Sequence, residues 1–230
     1  MIRMNRREFF RMGAGLIGAA VVTKCAVPLF SSQESEQWVP PESATVRYTS
    51  GVLLVNGIRA EPGMVLNAGD RLETGDRSEA EIEIQDYAIF HMKANSIVEI
   101  DDIFQEAHVT VRKGWFLAVV RKKKEFSVST PMVLAGVRGT VFFINVLDAE
   151  RMYLCDCNGT VDLKNATDGR ILKTVTSEYH TAFNLSRMQN GVEITGAGLL
   201  YHHDSDILKM ARRFPEETEV FKRRKGGGYE

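Results

Sequence analysis

Two cysteines and three histidines in the C-terminal third of the chain have side chains that bind metal ions: Cys155, Cys157, His180, His202 and His203. Residues two apart on an extended strand point to the same face, so the two thiols are expected to point in one direction. Two thiolates and two imidazoles suit a tetrahedral ion, zinc first and then copper or iron. His202 and His203 are adjacent and are not both expected to face inward. The sequence therefore predicts a metal site built from this set.

The cysteine pair also fits two alternatives to a metal site. In an extended strand the two α-carbons lie about 7 Å apart, the upper limit for a disulfide, so a redox-active bond would need a bent strand. A pair of inert thiols is the second alternative. His180 taken alone is also compatible with a structural histidine, and His91 and His108 with ordinary strand or loop residues. The chain has three cysteines in all, which excludes a disulfide framework.

The sequence favours neither an enzyme nor a nucleic-acid-binding protein. It contains no Ser/His/Asp pattern, no glycine-rich phosphate loop and no motif of paired carboxylates. Hydrophobic residues make up 44% and the net charge is −1, an ordinary globular balance. Two short basic runs, at 121–124 and 222–225, stand beside acidic residues and are expected to be solvated loops or tails. We therefore expect a protein without catalytic residues of its own.

Local signals around the candidate ligands predict the elements that carry them. Asn158-Gly159 is typical of a tight hairpin turn, which would place both thiols at the end of its first strand. The segment 178–183, which contains His180, has the composition of a strand. A helix is expected directly after His203, with Asp204 or Ser205 as its N-cap.

The body of the chain, from residue 45 to about 163, consists of short β-prone runs separated by turn residues. Residues 52–55 end at Asn56-Gly57, a hairpin signal, and residues 80–84 alternate apolar and charged side chains. No long stretch in this region has helical apolar spacing, which excludes a parallel βαβ architecture. The pattern predicts an all-β fold, a compact sandwich or jelly-roll-like body, with a helical leader and short C-terminal helices.

Several segments between about residues 50 and 146 follow one another in a specific order. They are Gly63–Leu66, Gly69–Gly75, Ser78–Ala80, Ala94–Ser96, Val98–Ile100, Val111–Gly114, Phe126–Pro131 and Val137–Phe142. The last two give a strand, a Thr-Pro break and a closing Arg-Gly-Thr-x-Phe strand. In this order and spacing the segments resemble the FecR domain, the periplasmic domain of ferric-citrate-regulator-like proteins. Physically, Pro131 is expected to end a strand and Gly139 to permit a bend.

The resemblance implies a sensory or adaptor domain of the cell envelope, involved in signal transduction through an envelope protein or a small ligand. Familiar members of the family are inner-membrane anti-sigma regulators with a cytoplasmic helical domain. Only five residues precede Arg6 in this chain, which departs from that pattern. We therefore expect a sensory role that does not act on a sigma factor through a cytoplasmic helical domain. An accessory protein that carries a metal or cofactor through the Cys-x-Cys pair and the histidines is the alternative.

The N-terminus has the pattern of an export signal. Arg6 and Arg7 are followed by two phenylalanines and an apolar stretch rich in glycine and alanine, which resembles a twin-arginine signal. A cleaved signal and an uncleaved inner-membrane anchor both fit, whereas Lys24 before Cys25 argues against lipidation. We expect a periplasmic protein that meets the membrane only through this leader. The predicted organisation is signal or anchor 1–30, linker 31–44, FecR-like β domain 45–147, C-terminal β extension 148–200 and helical, charged tail 201–230.

Overall fold

The structure is a computed structural model that describes residues 43–85, 87–103 and 106–224. The described residues all belong to one compact unit. The predicted twin-arginine leader, with Arg6 and Arg7, lies outside the described residues. The boundary predicted between residues 147 and 148 stays a prediction, although strands from the two sides of it pair with each other.

The described part of the chain contains sixteen β-strands, two short α-helices and one 3-10 turn. The strands are β1 (Ala44–Ser50), β2 (Leu53–Val55), β3 (Ile58–Arg59), β4 (Val65–Leu66), β5 (Arg71–Thr74), β6 (Glu79–Ile84), β7 (Ala88–Met92), β8 (Ile97–Asp102), β9 (Ala107–Val120), β10 (Glu125–Ser129), β11 (Val133–Arg138), β12 (Val141–Val146), β13 (Arg151–Asn165), β14 (Ile171–Ser177), β15 (Thr181–Met188) and β16 (Gly191–Ala197). The helices are α1 (Asp204–Lys209) and α2 (Pro215–Arg224), joined through the 3-10 turn Met210–Arg212.

These strands form two sheets that share the long strands β9 and β13. Sheet A has the order β4-β1-β6-β7-β9-β12-β13-β15-β16. Sheet B has the order β3-β2-β5-β8-β9-β10-β11-β13-β14. Every pairing in these two orders is antiparallel except β9 with β10. The all-β fold predicted from the sequence is confirmed.

A glycine lies where each shared strand passes from one sheet to the other. Gly114 in β9 has φ +85° and Gly159 in β13 has φ +128°, a region that side chains with a Cβ rarely adopt. A Cβ at Gly114 would lie 2.4 Å from Ser96 Oγ, and one at Gly159 would lie 2.6 Å from Thr140 Oγ1. The next backbone N–H donates to that same hydroxyl in both cases, at 2.8 Å and 3.2 Å. At both bends a hydroxyl group therefore packs directly against the glycine and accepts a hydrogen bond from the next residue, which leaves no room for a side chain.

The fold has two hydrophobic cores because sheet A is apolar on both faces. Alternate residues of its central strands point in opposite directions. Phe116 and Phe142 point into the first core, between the two sheets, whereas Leu117 and Phe143 point into a second core on the outer face. The C-terminal cap, defined here as residues 204–224, covers this second core with four buried side chains: Ile207, Met210, Phe214 and Phe221.

Several local predictions agree with these elements. Asn56 and Gly57 form the turn between β2 and β3, both with positive φ. The predicted alternation at residues 80–84 is present in β6, whose burial alternates residue by residue. Pro131 lies between β10 and β11, and Gly139, with φ +56°, precedes β12. Neither helix in residues 43–224 is long and apolar enough to cross a membrane.

Candidate metal centre

The two thiols come together because β13 contains a β-bulge. In its pairing with β12, Val141 lies opposite Asn158 and Phe142 opposite Asp156, so Cys157 is the extra residue. The bulge leaves the two sulfur atoms 3.8 Å apart, and both cysteines are free. The hairpin predicted at Asn158-Gly159 is wrong: both residues lie inside β13, where Gly159 bends the strand into the second sheet instead of reversing it.

His180 lies in the tight turn between β14 and β15. The strand predicted over residues 178–183 is therefore wrong in its first half, and β15 begins only at Thr181. His180 has φ +42°, and its backbone N–H donates to the carbonyl of Cys157 at 3.0 Å. This turn directs the ring towards the thiols, and Nδ1 lies 3.5 Å from Cys155 Sγ.

His202 belongs to the segment that leads from β16 into α1. Its ring stacks on Phe143 of the second core, with ring centroids 4.4 Å apart, and Nε2 lies 3.2 Å from Cys157 Sγ. Helix α1 begins at Asp204 with His203 as the N-cap residue, so the predicted caps Asp204 and Ser205 are each too far along the chain.

Four candidate ligand atoms thus converge: Sγ of Cys155, Sγ of Cys157, Nδ1 of His180 and Nε2 of His202, all within 4.8 Å of one another. A tetrahedral ion with bonds of about 2.3 Å to sulfur and about 2.0 Å to nitrogen places two sulfurs about 3.8 Å apart and sulfur and nitrogen about 3.5 Å apart. The observed separations of 3.8, 3.5 and 3.2 Å are close to these values. The cluster therefore has the size for one ion.

The other ring nitrogen of each histidine has a fixed partner. Nε2 of His180 lies 2.8 Å from Oδ1 of Asp204, and Nδ1 of His202 lies 3.0 Å from the carbonyl oxygen of Leu200. An acceptor on the far nitrogen fixes the tautomer that leaves the near nitrogen free to bind a metal. Asp204 also accepts a hydrogen bond from the hydroxyl of Tyr179 at 2.9 Å. The orientation of both rings is therefore set by surrounding groups.

The local electrostatics favour a thiolate even before a metal binds. A hydrogen bond from the Cys157 thiol, together with contacts to His180 and His202, lowers the pKa of Cys155 despite its burial. Burial, followed by the nearby Cys155 sulfur, raises the pKa of Cys157. For His180, burial opposes protonation, but Cys155 and Asp204 outweigh it and raise the pKa. Only the deprotonated sulfur is a metal ligand, so Cys155 is prepared for that role.

Asp156, between the two cysteines, is fully buried, and neither of its carboxyl oxygens has a hydrogen bond of good geometry. Burial, followed by the charge on Cys155, raises the pKa of Asp156 to about 8, although nearby backbone N–H groups oppose this. A neutral carboxyl avoids a third negative charge beside two thiolates.

The structure separates the remaining histidines from this cluster. His203 is exposed, and its backbone N–H donates to Oδ2 of Asp206. His91 is buried in β7, near Glu79 and Glu81, at 3.2 and 3.3 Å. His108 pairs with the Ser129 hydroxyl at 2.8 Å. Of the five predicted ligands, Cys155, Cys157, His180 and His202 come together, and His203 does not.

Two supporting groups were not predicted from the sequence. Asp204 was predicted only as a helix cap, yet its carboxylate holds His180. The partner of His202 is the backbone carbonyl of Leu200, and the identity of a side chain does not predict the role of a backbone atom. No local pattern links Asp204 to His180, because 24 residues of chain separate them.

Residues 70–161 match the family described as FecR protein. The FecR resemblance predicted between about residues 50 and 146 is confirmed for residues 70–146, and the match extends beyond it to residue 161. The match includes Cys155 and Cys157, whereas His180 and His202 lie beyond it. No protein of curated function resembles the chain closely enough to count as a match.

Two crystal structures of a candidate anti-sigma factor from Parabacteroides distasonis ATCC 8503, at 1.65 Å and 2.50 Å resolution, are similar to the chain. Each is 16% identical in sequence, with a TM-score of 0.47. The similarity covers 63% of this chain and 74% of each of those chains.

Proposed function

We propose that this protein is an exported, non-enzymatic sensory or adaptor module of the cell envelope whose ligand is a single metal ion, zinc first. The observation that carries the proposal is the cluster of four buried ligand atoms within 4.8 Å. The FecR match over residues 70–161 supports the sensory or adaptor part of the proposal. Such a module would signal to an envelope partner by changing its surface when the metal is present.

The ligand set argues against catalysis at the metal. Two thiolates and two imidazoles fill a tetrahedral coordination sphere, whereas catalytic zinc sites keep one position open for water or substrate. Cys155, Cys157 and His202 are fully buried, and the side chain of His180 is 5% exposed. A closed site of this kind suits binding and structural control.

Metal analysis of the purified full chain tests the metal assignment. We expect about one zinc per chain, and loss of that zinc in Cys155→Ser and His202→Ala, since each variant removes one of four ligands. His203→Ala is the matched control, because it removes an adjacent histidine that lies outside the cluster, and it should keep the metal. Metal-free wild-type protein after growth with added zinc, or equal zinc in Cys155→Ser, would contradict the proposal.

Export is tested separately. Replacing both Arg6 and Arg7 with lysine should leave the protein in the cytoplasm, because twin-arginine signals are read through the arginine pair. Cell fractionation measures the outcome. Unchanged delivery to the periplasm would remove the export part of the proposal and leave the metal part intact.

A further inference from the structure

The four ligands of the candidate centre come from three separate segments of the chain. Cys155 and Cys157 lie on β13, His180 in the turn before β15, and His202 in the segment that leads into the cap. One ion bound to all four would join the segment directly before the cap to sheet A at two places, the strand β13 and the turn before β15.

Resting on the proposed function, we propose that metal binding controls whether the C-terminal cap is closed over the outer face of sheet A. With the ion bound, the cap covers the second core; without it, the cap opens and uncovers the apolar side chains of β9, β12 and β13. The presence or absence of the metal thereby changes which side chains the protein exposes to a partner.

The other contacts of the cap are weak compared with metal bonds. Arg213 pairs with Glu83 at 3.1 Å and Lys209 with Glu79 at 3.8 Å, but both basic side chains are 49% exposed. Exposed ion pairs contribute little because solvent screens them. Lys93 and Asp206, at 2.8 Å, form the better-shielded pair, with Asp206 9% exposed.

The apolar contribution of the cap is also small for its length. Four buried apolar side chains and two partly buried ones, Leu208 and Val220, must offset the ordering of about twenty residues in two short helices. Two of the residues around the metal ligands also belong to the cap: Phe221, whose ring centroid lies 5.7 Å from that of His180, and Asp204. Loss of the ion therefore removes a large share of what holds the cap closed.

The coupling must work in both directions. If the ion stabilises the closed cap, closure also retains the ion, because a ligand stabilises the state that binds it. The ligand atoms are nearly inaccessible under the closed cap, so release of the ion requires opening. A variant that weakens the cap at a residue that is not a ligand should release zinc faster.

The sequence provides a reporter for this motion. Trp115 lies in the second core, donates its ring N–H to the carbonyl of Tyr201 at 2.8 Å and lies under Lys93 Nζ. The chain has two tryptophans, so Trp38→Phe leaves Trp115 as the only one. Lys93 also pairs with Asp206 of the cap, so opening of the cap would remove part of the cover of the Trp115 ring.

The test uses the full chain carrying Trp38→Phe, with zinc content measured on each sample. Removing zinc with a chelator should shift Trp115 emission to longer wavelength and speed tryptic cleavage within residues 204–224 by about tenfold, with reversal on adding zinc. Phe221→Ala should release zinc to a chelator about tenfold faster. Met188→Ala, a similar truncation at a half-exposed position of β15, should not.

Two results would overturn the inference, and they are distinguishable. One zinc per chain with the same emission and cleavage before and after chelation would show that the cap stays closed, leaving the metal site in place. A chain that never binds zinc would remove the proposed function and this inference together. If Phe221→Ala fails to fold, emission and tryptic cleavage of the Trp38→Phe protein before and after chelation still test whether the cap opens.

Discussion

The two cores of this protein differ in what holds them together. The first, between sheets A and B, is built from apolar side chains such as Phe90, Phe116 and Phe142, all fully buried. The second, on the outer face of sheet A, mixes apolar side chains with two thiols and the ring of His202 and is covered by two short helices. Burial of apolar surface stabilises a core of the first kind without a bound ion. The second contains buried polar groups that need a partner, so we expect its stability to depend on the bound ion.

The most severe way to test this contrast is to make a cavity in the first core. Phe116→Ala should lower the free energy of unfolding by about 3–5 kcal/mol, because the ring is fully buried between two sheets. Denaturant unfolding with and without zinc measures the loss, which should be the same in both. Tyr48→Ala, at a position 42% exposed, is the control and should cost far less. A loss that disappears when zinc is removed would mean that the two cores are not independent.

A change at the strand that both cores share should affect them together. Gly159→Ala places a Cβ 2.6 Å from Thr140 Oγ1 at φ +128°, so we expect a loss of about 2–4 kcal/mol. Thermal unfolding followed by circular dichroism measures it. Gly196→Ala on β16, where a Cβ would meet no atom within 4 Å, should be close to neutral. Equal losses of stability in Gly159→Ala and Gly196→Ala would show that the bend in β13 does not require a glycine.

A substitution outside the metal ligands should act on the second core alone. Asp204→Asn removes the charge that holds His180 Nε2 and should weaken zinc binding about 10- to 100-fold. Competition with a chromophoric chelator measures the affinity. Asp162→Asn, which changes a half-buried carboxylate elsewhere on β13, is the matched control and should leave the affinity unchanged. Unaltered zinc binding in Asp204→Asn would show that the contact is only structural.

The smallest expected effect concerns the ion pair at the edge of the cap. Lys93→Met should lower stability by about 1 kcal/mol at neutral pH, since it removes the pair with Asp206 and the charge over Trp115. Burial opposes ionisation of Asp206, but Lys93 outweighs it and lowers the pKa. The contribution is therefore complete above the carboxyl's ordinary pKa and is lost as the pH falls through its lowered value.

The free energy of unfolding of Lys93→Met and of the parent protein, measured from neutral pH down into the acid range, shows whether the stability difference between them disappears. Lys222→Met is the control, because its pair with Glu219 lies on the surface of α2. A difference that grew as the pH fell would contradict the assignment.

Sequence patterns predicted correctly the features that depend on neighbouring residues. The alternation in β6 gives a strand with one buried face whatever it packs against. Asn56-Gly57 accepts positive φ at both positions, which suits a hairpin turn. Asn158-Gly159 carries the same local signal but lies inside β13, because pairing with both sheets decided how the bend is used.

The sequence by itself determined the all-β class, the FecR resemblance and which residue types could bind a metal. Only the tertiary structure decided which of them meet: His180 and His202 approach the cysteines across 25 and 45 residues of chain, and His203 turns away. The physical reason is that a strand pattern fixes the direction of a side chain relative to its own backbone. The bulge at Cys157, the turn at His180 and the docking of the cap depend on contacts between segments far apart in sequence, which no local pattern contains.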